Sequence, residues 1–316
     1  MNSNSSDQLM FRGGIWGQMP EPGDGRGTRG AARIRRLRLL LGLGAIAAVF
    51  STTHAMAADL SACGVVINKA GFYRVTQDLS ASSGDCLDVN AAKTVIFLDG
   101  HSLTGSGAGV GIKFSARAKN SFLEGANATI SGFAIGVQDY ASYLRADNFN
   151  ANSNRTGGVL VSGADYSNLS NFQASSNGSY GVRFLTGSNN VAESAQASSN
   201  GGYGIWLDGA SGVRIDNFDT EHNTFAGVYI GCASNGAGTS CADGKHLASS
   251  NEIYDGFADG NGPYGIAIDA TASANIVTSV EAMNNGTADL LDLNKCGASS
   301  WFGNQFASAS PSGCIN

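Results

Sequence analysis

Only four prolines stand in 316 residues: Pro20, Pro22, Pro263 and Pro311. Proline is what central strands exclude, so continuous β-ladders are permitted along almost the whole chain. Beyond residue 57 there is also no run of ten or more residues with an apolar stripe at helical spacing. That absence removes helical bundles and alternating α/β folds. Basic residues are scarce, 19 against 25 acidic, and no two cysteines have C-x-x-C spacing, so no metal site is expected from that motif.

What the chain has in abundance is glycine, 44 residues. A glycine followed by an aliphatic residue returns at Gly158-Val159, Gly181-Val182, Gly204-Ile205 and Gly227-Val228, three intervals of 23 residues. It returns again at Gly265-Ile266 after 38, one period plus an insertion of 15. Gly111 and Gly136 precede the block at spacings of 25 and 22. A period in the twenties marks a solenoid, each repeat being one coil that cannot bury its own apolar face. After each glycine the residues alternate, with inward pairs Val159/Val161, Val182/Phe184, Ile205/Leu207, Val228/Ile230 and Ile266/Ile268. Such alternation over a short run bounded by Gly, Ser, Asn and Asp is a half-buried strand. A second segment supplies Leu169 and Phe172, then Val213, Ile215 and Phe218, then Ile253 and Phe257, then Ile276 and Val280. The fold class is therefore all-β, a parallel β-helix of roughly nine or ten coils between Gly64 and Asn294 with rungs about 4.8 Å apart. Asn177, Asn200, Asn261 and Asn285, each followed by glycine, fall at matching points, as do Asn154 and Asn223. They are expected to take the left-handed corner and to hydrogen-bond along the stack.

Residues 1–57 read as leader. Residues 1–30 form a Gly-rich polar extension, or an upstream start with Met19 as the alternative. Within 31–57, Arg33, Arg35, Arg36 and Arg38 precede the apolar run Leu39 to Phe50 and the small-residue site Ala55-Met56-Ala57, the order of a secretory signal peptide. Twelve apolar residues are too few for a span of about 20, so no transmembrane anchor is expected in the mature chain. Residues 58–316 make the β-helix domain, with the insertion near 231–246. Seven of the 19 basic and three of the 25 acidic residues lie in the leader. The exported part thus carries 12 basic and 22 acidic residues, net −10, which argues against nucleic acid and against polyanions unless calcium bridges them. No cofactor other than calcium is suggested. Six cysteines, Cys63, Cys86, Cys232, Cys241, Cys296 and Cys314, fit three disulfides in an oxidising compartment, periplasmic or extracellular. Of the 15 possible pairings, neighbour with neighbour is the economical one: a staple at the first coil, one at the base of the insertion, and one closing the C-terminal tail.

The stretch Gly84 to Gly105, and within it Leu98, Asp99, Gly100, His101, Leu103 and Gly105, resembles an early coil of right-handed parallel β-helix proteins of the pectin-lyase-like superfamily. The Cys63-Gly64 entry and the tail from Cys296 through Trp301, Phe302, Gly303, Asn304 and Phe306 to Cys314-Ile315 look like the ends of bacterial secreted members. The resemblance implies a right-handed coil. It also implies a group containing polysaccharide lyases, hydrolases, mannuronan C5-epimerases, phage tailspikes and a periplasmic copper-site maturation protein. The signatures of its enzymes are absent here. No arginine lies within three residues of a proline, and no Asp-Pro-His-Glu, Asn-Thr-Asp, Asp-Asp or Gly-His-Gly run occurs.

Three constellations remain. Asp208, Asp216, Asp219, Glu221 and His222 bring carboxylates and a histidine near one another in sequence, the residue types of acid–base work or calcium binding; a solvated polar face is the plainer reading. Leu160, Arg183, Trp206, Tyr229 and Ala267 each stand two residues after a repeat glycine, so stacking lines them up on the outer face. An exposed Arg183-Trp206-Tyr229 stripe suits sugar rings, with Tyr180, Tyr203 and Tyr264 forming a second column; ordinary ladder packing is the alternative. Lastly, His222 and His246 flank Cys232 and Cys241, a soft-metal set only if the thiols are free. The sequence thus predicts an exported protein binding an extended carbohydrate along a lateral groove. A polysaccharide lyase or C5-epimerase acting on a uronic-acid polymer is the alternative, and a structural or adhesive envelope protein the third.

Overall fold

A computed structural model describes residues 57–232 and 247–315. They form short strands and turns with no helix among the described residues, and therefore none long and apolar enough to cross a membrane. The leader up to residue 56 lies outside the described residues, as do most of the insertion, Cys241 and His246. The strands opened by the repeat glycine stack into a sheet of 11, from Val65–Ile67 to Ala309–Ser310. Ten of the 11 fall between Gly64 and Asn294, at the upper end of the expected coil number. The second segments build a separate sheet of 14 strands.

Pairing within the glycine sheet is parallel and in step with the repeat. Val159, Val182, Ile205, Val228, Ile266 and Leu290 are partners on consecutive rungs. The 38-residue step leaves this register intact, with Val228 and Ile266 partners across it. Across the core stands the file Leu169, Ala192, Ile215, Ile253 and Val277, all fully buried. At about 25 cal/mol per Å² of apolar surface, burial along these files is the main force holding coil to coil.

A left-handed residue in the second segment turns the chain again. Asn148, Asn171, Ser194, Asn217, Asp255 and Ser279 have φ between 51° and 56° and stack from rung to rung. This corner explains two departures from simple alternation. Phe257 points outward, 51 % exposed, because Gly256 takes the inward place; a Cβ there would lie 2.4 Å from the Phe218 ring. Ile276 is half-buried while Val277 is buried, since Val277 is the residue in register with Ile253.

The asparagines form a ladder, though they are not the left-handed residues. Those are the preceding ones, Ser153, Ser176, Ser199, His222, Gly260 and Asn284, which frees each asparagine to turn inward. Asn154, Asn177, Asn200, Asn223 and Asn261 each donate a side-chain N–H to Oδ1 of the next and a main-chain N–H to the same oxygen. The glycines after them answer to crowding: a Cβ on Gly178 would lie 1.9 Å from the Arg155 carbonyl oxygen.

Disulfides join Cys63 to Cys86 and Cys296 to Cys314, matching neighbour pairing at both ends. Cys232 is disulfide-bonded too, which removes it from the soft-metal set.

Candidate functional site

The outward residues of the glycine sheet form one file: Val66, Asp88, Lys113, Gln138, Leu160, Arg183, Trp206, Tyr229, Ala267, Leu291 and Ser310. Arg183, Trp206 and Tyr229 therefore stand on adjacent rungs, as the repeat requires. They are not an open stripe. Trp206 is 6 % exposed, Leu160 and Ala267 are buried, and Arg183 and Tyr229 are half-buried.

Side chains from neighbouring positions account for this. The Arg183 guanidinium lies 4.1 Å from the Trp206 ring centroid, and the Tyr203 ring stacks on the indole at 4.7 Å. The indole N–H donates to the Gly231 carbonyl at 3.1 Å. Trp206 is thus the floor of the site. Tyr203 also meets Phe225 at 5.0 Å and Tyr229 at 5.2 Å, and Phe225 meets Tyr264 edge-on at 5.7 Å. Tyr203, Phe225, Tyr229 and Tyr264 are all half-buried, so these four present the accessible aromatic surface. Of the second tyrosine column, Tyr180 and Tyr203 are in register, whereas Ala226 separates Tyr203 from Tyr264; Phe225, one residue earlier, supplies a ring on that rung.

Two carboxylates edge the cluster. Asp208, fully buried, accepts Arg183 Nε at 2.9 Å and the guanidinium Nη2 through the same oxygen. Asp269 accepts the Tyr229 hydroxyl at 2.8 Å and caps its own turn by accepting Thr271 N–H and Oγ1–H. Asp208 and Asp269 hold equivalent offsets from Gly204 and Gly265, but not on adjacent rungs: Gly231 stands between them, and a Cβ there would meet the Asp269 Cβ at 2.3 Å. The hydroxyls are held protonated. Burial, then the Asp269 bond and charge, raise Tyr229 well above the ordinary range. Burial, then Asp208, raise Tyr203. Burial pushes Tyr180 up to about 12. At neutral pH these groups offer hydrogen bonds and no base.

The five acid–base candidates are distributed over different walls. Asp208 ends a strand of the glycine sheet, while Asp216 lies on the second sheet, bonded by Arg214 at 3.2 Å. Asp219 lies past the left-handed corner, bridged to Gln196 and Phe257. Glu221 and His222 sit at the following turn, 3.9 Å apart. Closeness in sequence did not become closeness in space, because one coil turns three corners within that stretch. Among the described residues no group of three or more His, Cys, Asp or Glu is arranged to hold a metal ion. A shallow cavity of about 210 Å³, lined by Asp255, Phe257, Ser279, Glu281 and Gln305, lies on the second sheet.

Residues 59–315 match the family model described as a right handed beta helix region. Among solved structures, the A-module of a mannuronan C-5 epimerase from Azotobacter vinelandii is similar at TM-score 0.58 and 13 % identity, over 78 % of both chains. The full-length tailspike protein 2 of Escherichia coli O157:H7 bacteriophage CAB120 gives 0.55 and 15 %, over 76 % of this chain and 38 % of that one. A periplasmic alginate epimerase gives 0.50 and 14 %, over 73 % and 61 %. At such identities the likeness is one of fold. None of the curated proteins matches the chain in sequence.

Proposed function

The chain belongs to the right-handed β-helix family, and from that premise we propose that the outer face of its 11-stranded sheet binds an extended glycan. The observation carrying this reading is the ring cluster Tyr203, Phe225, Tyr229 and Tyr264, in which Tyr203 stacks on the buried Trp206. Aromatic faces take the apolar C–H faces of sugars, and the polar tips of tyrosine and the nearby Asp269 take hydroxyls. Rungs spaced by about 4.8 Å offer such contacts repeatedly along a linear polymer. Two proteins of similar fold are named for acting on mannuronan and on alginate, which agrees with a polysaccharide partner. The signal-peptide pattern at 31–57 and the disulfides at both ends support export to an oxidising compartment.

Binding is favoured over turnover by the state of the polar groups. A lyase or epimerase must remove a proton from carbon, and Tyr203 and Tyr229 are protonated donors while Arg183 is committed to Asp208. The test is retention of the purified protein on a panel of immobilised glycans, beside the double variant Tyr203→Ala/Tyr264→Ala. Retention by the wild type and its loss in the variant support the reading. Equal retention by both removes it, and accumulation of an unsaturated product absorbing in the near ultraviolet replaces it with a lyase.

A further inference from the structure

The charge arrangement on this face narrows its ligand, on the premise that the face binds a glycan at all. We infer that the polymer it takes is uncharged, a neutral or N-acylated glycan, and not a uronic-acid polymer. A polyuronate presents one carboxylate per sugar and needs cations placed to meet them. Only two bases project from the described strands of this face, and both are already matched. Lys113 Nζ lies 3.4 Å from Asp85. Arg183 is bonded through Nε and Nη2 to Asp208, whose side chain is fully buried. Turning Arg183 toward a ligand would draw the guanidinium off a carboxylate that is shielded from water, which is costly.

The remaining charges on the face are of the wrong sign for a polyanion. Asp88 lies beside Lys113 in the same file, and Asp269 sits against Tyr229. At the rings, burial and then Asp208 raise the pKa of the Tyr203 hydroxyl, with Arg183 pulling the other way and Asp269 adding to the rise. The exposed bases nearest in sequence to these strands, Lys69 and Arg155, stand outside them, two residues after Ile67 and two before Gly157. A neutral sugar meets none of these obstacles: its hydroxyls donate to Asp269 and accept from the tyrosines, and its ring stacks on theirs.

The experiment compares binding of the full-length protein to a neutral β-glucan, a galactomannan and chitin oligomers with binding to alginate and polygalacturonate. Each is measured at low and moderate salt, with calcium and with a chelator. The expected result is retention of one or more neutral polymers, unaffected by salt or chelator, and at least about tenfold weaker retention of both uronates. Asp208→Asn, which releases the guanidinium while keeping the shape, is expected to raise low-salt uronate binding about tenfold. Lys113→Gln, at the other base of this face and away from the ring cluster, serves as the second variant, predicted to leave neutral-glycan binding within about twofold. Uronate binding by the wild type as tight as neutral-glycan binding, and lost in Tyr203→Ala, overturns the charge inference while keeping the glycan-binding face. Absence of Tyr203-dependent binding to every polymer overturns the face itself, and the inference with it.

Discussion

Asp139 Oδ2 accepts the Ser167 hydroxyl at 2.8 Å from a place in the core where the adjacent rungs carry Phe114 and Val161. The carboxyl is fully buried, and its other oxygen accepts the Ala141 N–H at 2.7 Å. Burial raises its pKa to about 7, against the smaller opposing pull of those two bonds. The unfolded chain releases this proton near pH 4. Between about pH 4 and 7 the folded state therefore holds more protons than the unfolded one, and stability falls as pH rises through that window. Asp139→Asn keeps both bonds, because a serine hydroxyl can also accept. It is expected to be neutral at pH 4 and to stabilise by about 2–4 kcal/mol at pH 8. Urea titrations of both proteins across this range check the prediction; parallel pH profiles would refute it.

The asparagine ladder has a direction, and Asp289 is where it stops. Asn285 donates its side-chain and main-chain N–H groups to Asp289 Oδ1 at 2.9 and 3.1 Å. Asp289 Oδ2 accepts Ala307 N–H, Ser308 N–H and the Ser308 hydroxyl. Only an acceptor-only group satisfies five donors. Burial acts to raise this carboxyl's pKa, but the bonds from Asn285 and Ser308 together outweigh it and the net shift is downward. Its contribution to stability is then present above the unfolded value and lost as pH falls through the folded one. Asp289→Asn turns an amide N–H toward donors and is expected to cost about 2–3 kcal/mol at pH 7. The difference should shrink toward pH 3, as measured by thermal unfolding of wild type and variant.

The 23-residue period makes the files legible in the sequence. Gly158, Gly181 and Gly204 predict Arg183, Trp206 and Tyr229 as neighbours, and they are neighbours. Asp139 was equally legible by position, since it stands three residues after Gly136, the offset of Val161 from Gly158. What hid it was residue type, because a carboxylate is not expected in an aliphatic file. Exposure was not legible. Whether Trp206 opens to solvent depends on Tyr203 and Arg183 lying across it, and the period fixes where a side chain starts, not which way it lies. The left-handed corner at Asn148, Asn171 and Asn217 was missed because its other rungs carry Ser194, Asp255 and Ser279. Short polar residues of several types serve at such a position, so no single letter recurs there.

The two aromatic roles, floor and surface, separate by measurement. Trp206→Ala removes a buried ring and its bond to the Gly231 carbonyl, and should cost about 3–5 kcal/mol. Tyr203→Ala removes a half-exposed ring and should cost less than about 2 kcal/mol, while abolishing glycan retention. Trp206→Phe, which keeps the ring in place, is expected to retain most binding. If Tyr203→Ala proves the more destabilising of the two, the assignment of floor and surface is wrong.

The last rung is closed by the chain's own tail. Ile315 is 3 % exposed and belongs to the core cluster, and Cys296–Cys314 ties it there across 18 residues. Trp301, on the final second segment, donates its indole N–H to Asp292 at 2.8 Å, fixing the rung against the one before. A solenoid end without such a cover leaves apolar core and unpaired strand edge exposed. Cys296→Ser/Cys314→Ser removes a loop closure worth about 3 kcal/mol, but the effect should be local, because each coil contacts only its neighbours. Hydrogen exchange is expected to rise at Leu290, Ser300 and Ser310 and to stay unchanged at Val182 and Ile205. Ile315→Asp, with the disulfide intact, should produce the same terminal fraying together with concentration-dependent association through the opened edge. A uniform rise in exchange along all rungs would instead mean that the coils unfold as one cooperative block, and that the tail stabilises the whole stack.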